Sequence, residues 1–245
     1  MMLGARTAAW AKSGSPTPAY GGLCFTAESA NSSVQLTAVG SAPAVTLVKS
    51  FDGVNWEAYV VGEVIDLPST GDFVYLAAGE GGNETFGSST SVYHQFVING
   101  RVAASGDITS IRRFDLEQTK LANYCYYSMF QGCTGLTSAP ELPATTLASG
   151  CYRQMFYGCT GLTSAPELPA TTLKTYCYGY MFKDCENISI IKIHFTSWDI
   201  SAFNGKTNGW VSGVSPTGTF YKPSALPEEY GIGKIPTGWT VVNID

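Results

Sequence analysis

Six cysteines fall on two ladders of 26-residue period, Cys125, Cys151 and Cys177 and then Cys133, Cys159 and Cys185, with Cys24 alone near the start. Thiols so regularly placed could hold a metal or close disulfides. Zinc sites favour cysteines two to four residues apart, whereas seven residues separate the two within each repeat. On a helix eight positions span about 12 Å, beyond the reach of a disulfide. Equivalent cysteines on helices packed about 10 Å apart meet the same obstacle. The expectation is small buried thiols filling a tight core, with a bridge between unlike cysteines of adjacent repeats as the alternative. Neither histidine, His94 or His194, stands in a Cys/His/Asp pattern. Both are expected in the core or a cap, which removes the usual general base. No Gly-x-Ser-x-Gly elbow occurs. Glu141 and Glu167 hold the same place in successive repeats, so they form a solvated row. Glycoside hydrolysis needs two carboxylates in distinct environments. No catalytic residue, metal site or cofactor is expected.

These residues sit on an internal repeat. Cys133 to Leu147 recurs letter for letter at Cys159 to Leu173, with degenerate copies at Phe114 to Cys125 and Ile188 to Phe195. Leu136 to Ala139 predicts a short strand, cut off because Pro140 and Pro143 cannot donate ladder hydrogen bonds. Thr145 and Thr146 then cap a predicted helix that runs to about Cys159. On it Leu147, Cys151, Met155 and Cys159 make an inward stripe, and Tyr152 and Phe156 a second one. The expected core of the repeats is Cys125, Cys133, Leu136, Leu142, Leu147, Cys151, Phe156, Cys159, Leu162, Leu168, Leu173, Cys177 and Cys185. One repeat cannot cover its own apolar face, so the copies stack.

Residues 21–112 alternate like β-structure at Ser33–Val39, Ala44–Val48, Trp56–Val61, Phe73–Ala77 and Tyr93–Ile98, punctuated by Asp52-Gly53 and Asn99-Gly100. The polar stretch 79–91 is expected to be a mobile loop and a second contact candidate. The expected fold is α+β. It has an extended arm at 1–20, a β-sandwich at 21–112, a short leucine-rich-repeat solenoid at 113–197 and a β-rich cap at 198–245. Asn31, Asn83 and Asn187 match the N-glycosylation pattern and are taken as chance.

A net charge of −5 with no Lys/Arg cluster argues against nucleic acid. No run of about 20 apolar residues is present to span a bilayer. The first 22 residues have no continuous apolar stretch and do not read as a secretory signal.

The copies disagree at a few positions. Tyr127, Ser128 and Gln131 become Arg153, Gln154 and Tyr157, then Gly179, Tyr180 and Lys183. On a helix these offsets share one face, and Tyr, Arg, Lys and Gln make adaptable contacts. Tyr127, Gln131, Arg153, Tyr157, Tyr180 and Lys183 are therefore the candidate ligand-contact face.

The run Met129-Phe-x-Gly-Cys-Thr-Gly-Leu-Thr-Ser-Ala-Pro-Glu-Leu-Pro-Ala-Thr-Thr-Leu147 resembles the BspA-like leucine-rich repeats, which occur in surface proteins of gut Bacteroidetes and in their phages. The likeness covers about 114–195. It implies adhesion, ligand recognition or a virion role. The functional expectation is a non-enzymatic phage virion component, a tail or head fibre on the virion surface that binds a host receptor. Its arm at 1–20 would dock on other virion or envelope proteins, and a homo-oligomer such as a trimer would suit a fibre. The alternative is a bacterial cell-surface adhesin that binds a host protein or glycan.

Overall fold

The computed structural model describes residues 22–113, 120–198 and 205–244. The expected arm at 1–20 lies outside the described residues. Alternating apolar residues build nine strands first: β1 (Cys24–Ala27), β2 (Ser32–Val39), β3 (Leu47–Ser50), β4 (Glu57–Tyr59), β5 (Val64–Leu67), β6 (Phe73–Ala78), β7 (Gly87–Ser89), β8 (Val92–Asn99) and β9 (Val102–Ser105). In β2, Val34 and Leu36 are buried while Ser33, Gln35 and Thr37 are half-buried, the period-two pattern of a sheet with one face in the core. Antiparallel pairing gives one sheet in the order β9-β1-β6-β3-β4 and a second in the order β5-β2-β8-β7. Phe25 of β1 meets Phe96 of β8 between them, ring centroids 4.9 Å apart. Two sheets with a shared apolar interior are consistent with the β-sandwich expected at the N-terminal end.

The loop expected at 79–91 is largely structural. It contains β7, and Phe86 is fully buried. Asn83 is also buried; its amide nitrogen donates to the carbonyls of Thr46 (3.0 Å) and Ile111 (2.7 Å). Its oxygen accepts from the Thr46 N–H at 2.8 Å. An asparagine so enclosed is no glycan acceptor.

The α+β fold with a leucine-rich-repeat solenoid is not what forms. There is no α-helix among the described residues, and the regular structure is strands and one short 3₁₀ turn at Ile108–Ile111. The stretch predicted as helix at 145–159 is a run of turns. Gly150 (φ 62°), Gln154 (φ 57°) and Gly158 (φ 72°) are left-handed at every fourth position, as are Tyr176, Tyr180 and Asp184 one repeat later. A right-handed helix cannot continue through such residues. Backbone N–H groups instead alternate in use. Those of Arg153, Met155 and Tyr157 close turns onto Gly150, Tyr152 and Gln154 at 3.1–3.2 Å. Those of Tyr152, Gln154 and Phe156 reach the carbonyls of Cys177, Gly179 and Met181 in the next copy at 2.9–3.0 Å. The segments 124–132, 150–158 and 176–184 are thus tiers of turns, hydrogen-bonded to one another in series. A strict four-residue stripe stays in line in such a tier, whereas in an α-helix it drifts by about 40° per step.

The tiers continue the sandwich. β10 (Leu136–Ser138) pairs parallel with β9, extending the first sheet by one strand. Phe86 and Phe96 N–H groups donate to the carbonyls of Cys125 (3.1 Å) and Met129 (2.7 Å). At the far end β11 (Ile190–Lys192), β12 (Thr219–Lys222) and β13 (Thr240–Asn243) form a parallel sheet of three strands. One apolar cluster runs from Leu23 to Trp239. Two aromatic columns form its axis. Phe96, Phe130, Phe156 and Phe182 stack at 5.0, 5.5 and 5.8 Å between centroids. Phe86, Tyr126, Tyr152 and Tyr178 stack at 6.2, 5.7 and 6.1 Å, and both columns end against Trp210.

Candidate recognition face

Four tyrosines, Tyr124, Tyr157, Tyr176 and Tyr180, are half-buried on the turns of the tiers. Glycine makes room for the rings. A Cβ on Gly150 would come within 2.8 Å of the Tyr124 ring, and one on Gly209 within 2.7 Å of the Tyr180 ring. The Arg153 guanidinium lies 4.8 Å from the Tyr176 ring centroid and 5.9 Å from that of Tyr180. The Lys183 ammonium lies 4.9 Å from the Tyr157 ring centroid. Cation–π contacts of this kind hold long basic side chains in place without neutralising them. Lys183 also pairs with Asp184 at 3.6 Å, and that carboxylate, with the Tyr157 hydroxyl, raises its pKa. Arg153 has no carboxylate partner among the described residues, and its Nε is buried without an acceptor. The Asn208 amide donates to the Tyr180 hydroxyl at 3.2 Å.

The structure therefore brings Arg153 to Tyr180 and Lys183 to Tyr157, in two pairs. Tyr127 is more enclosed: its hydroxyl donates to Gln154 Oε1 at 2.5 Å and its ring meets Tyr93 edge-on at 5.0 Å. Gln131 is half-buried, and its carbonyl accepts from the Gln95 amide at 2.5 Å. Sequence reasoning left out Tyr93, Tyr124, Tyr176 and Asn208. A signal for two of them existed, because Tyr124, Gly150 and Tyr176 share the 26-residue spacing.

Cys125, Cys133, Leu136, Leu142, Leu147, Cys151, Phe156, Cys159, Leu162, Leu168, Leu173, Cys177 and Cys185 are all buried. All seven thiols are free. Hydrogen-bonded tiers lie about 4.8 Å apart, about half the spacing of packed helices. Thiols instead donate across tiers: Cys133 to the Phe96 carbonyl at 3.2 Å, Cys159 to Phe130 at 2.9 Å and Cys185 to Phe156 at 2.8 Å. Burial pushes the pKa of Cys133, Cys177 and Cys185 up to about 12, and it raises those of Cys125, Cys151 and Cys159 as well. Such thiols carry almost no thiolate near neutrality.

His94 is buried, its Nδ1 3.0 Å from the Phe86 carbonyl, and burial lowers its pKa. His194 is not a core residue. It lies partly exposed with Nε2 2.5 Å from Glu167 Oε1, and Lys192 reaches the same oxygen at 3.0 Å. These two partners, His194 first, lower the Glu167 pKa. Among the described residues no group of three or more His, Cys, Asp or Glu could hold a metal. No helix there is long and apolar enough to cross a membrane. No protein-family model, curated protein or solved structure matches the chain.

Proposed function

We propose that this protein is a non-enzymatic recognition module and that the tyrosine- and cation-bearing side of its tiers is the surface it presents. One observation carries the reading. Tyr124, Tyr157, Tyr176 and Tyr180 are gathered with Arg153 and Lys183 on a side whose backbone is already committed to turns and tiers. Tyrosine and arginine are the residue types that dominate binding hot spots, and rigid rings give contact area at low entropic cost. The rest of the chain supplies stiffness through its aromatic columns.

The setting we propose is a phage virion, with residues 1–20 as the attachment to other virion proteins; the likeness of the repeat to BspA-like sequences supports it. Mass spectrometry of purified particles and of cell envelopes tests the setting. Recovery in envelopes alone would move the protein to the adhesin role. The face is tested by attachment of the labelled full chain to target cells. Tyr157→Ala with Lys183→Ala should reduce attachment, while Glu167→Gln, on the strand side of the tiers, should not. Equal attachment by all three proteins would remove the face from the account.

A further inference from the structure

We infer that this face binds a carboxylated polysaccharide, with Arg153 and Lys183 receiving its carboxylates and the surrounding tyrosines and amides its sugar rings. The inference rests on the face being the recognition surface. Charge is the first argument. The turn segments 121–133, 147–159 and 173–185 hold three cations, Arg153, Lys174 and Lys183, against one carboxylate, Asp184, in a chain whose net charge is −5. Arg153 is held by Tyr176 and Tyr180, is only half-buried, and has no carboxylate partner among the described residues. A carboxylate is the acceptor whose fork geometry fits a half-exposed guanidinium.

The neighbours argue for sugar rather than peptide. On the same turns stand neutral groups that can both donate and accept: the side-chain amides of Gln154 and Asn208 and the hydroxyls of Tyr127 and Tyr180 to which they bond. Peptides dock by adding a strand to a free sheet edge, by placing apolar anchors in a groove, or, for acidic motifs, on a cluster of arginines, and these turn segments hold one arginine. Here the alternate N–H groups of the turns are spent within the tier and on the next one. The exposed large apolar side chains lie elsewhere, at Phe51, Val54, Val60, Val64 and Val97 in the N-terminal sheets, at Ile190 of β11, and at Tyr230, Ile232 and Val242 near the end.

The experiment is titration of the full chain with polygalacturonate, with its carboxyl-reduced polymer and with poly-L-glutamate. Binding is expected to polygalacturonate only, weakening as salt rises. Arg153→Gln should lose about tenfold or more in affinity, as for removal of a hydrogen-bonded charged partner. Arg153→Lys, which keeps the charge but not the fork, should fall between, and Glu167→Gln should match the parent. Equal binding to the carboxyl-reduced polymer, equally tight binding to polyglutamate, or no loss in either Arg153 variant would each overturn the inference. If no polymer binds while Tyr157→Ala with Lys183→Ala still reduces attachment to cells, the ligand class falls and the face stands. If that double variant attaches normally, the face falls too.

Discussion

Replacing Gly150 by alanine separates a tier of turns from a helix by the sign of its effect. In the interior of a helix Gly→Ala is stabilising by about 0.5–1 kcal/mol. Here Gly150 has φ 62°, and the Cβ would lie 2.8 Å from the Tyr124 ring. Left-handed backbone costs an L-residue about 1–2 kcal/mol. Displacing the ring adds about 1 kcal/mol, the low end for overpacking. A loss of roughly 2–3 kcal/mol is expected, or roughly 4–12 °C in Tm for a chain of this size. Urea unfolding followed by tyrosine and tryptophan fluorescence should show a lower midpoint at constant slope. The two contributions are separable. In a Tyr124→Ala background the ring is gone, so Gly150→Ala should cost only the backbone share, leaving a coupling of about 1 kcal/mol. A gain in stability would refute the turn conformation. Equal cost in both backgrounds would refute the packing of Tyr124 on Gly150.

Phe156→Ala should be far more damaging, by about 3–5 kcal/mol, because the ring is fully buried between Phe130 and Phe182; urea midpoints check it. Asn83→Ala should cost about 2–3 kcal/mol by orphaning the Thr46 and Ile111 backbone groups it serves, read from the same unfolding curves. Native thiols should be silent to a thiolate-specific reagent at mildly alkaline pH and should react only on unfolding. Stability should fall as pH rises. The unfolded thiols lose protons near their ordinary pKa of 9.0, while Cys133, Cys177 and Cys185 hold theirs to about 12. The unfolded state therefore binds fewer protons in that window, and each such thiol removes about 1.4 kcal/mol of stability per pH unit. A flat profile between those limits, from unfolding at fixed pH steps, would contradict the burial. Glu167→Gln should shift stability by no more than about 0.5 kcal/mol, as for other exposed pairs.

The sandwich was legible where alternation is long, as in β2 and β8, because period two is a local signal. β9, with the sequence Val-Ala-Ala-Ser, carries little pattern of its own, and its pairing with β10 depends on a partner more than thirty residues away. The tiers were misread because a repeat of four lies close to 3.6. The correcting signal was Gly150 and Gly158 inside the predicted helix, two costly residues at a multiple of four. His194 was misplaced by one residue. It aligns with Leu168 by sequence, yet Leu168 faces Ile193 in the parallel register, and Ile193 takes the core position. A one-residue shift sends a side chain to the opposite face. Variation between copies located Arg153, Tyr157, Tyr180 and Lys183. It overlooked Tyr124 and Tyr176 because the copy between them carries glycine, which is the very residue that gives the Tyr124 ring its seat.

Hydroxyl-radical footprinting of the full chain, free and attached to its target surface, tests the recognition face most directly. Protection of Tyr124, Tyr157, Tyr176 and Tyr180, with Glu141 and Glu167 on the strand side unchanged, is the expected result. Protection confined to the strand side or to the Phe51 and Val54 end of the sandwich would contradict it.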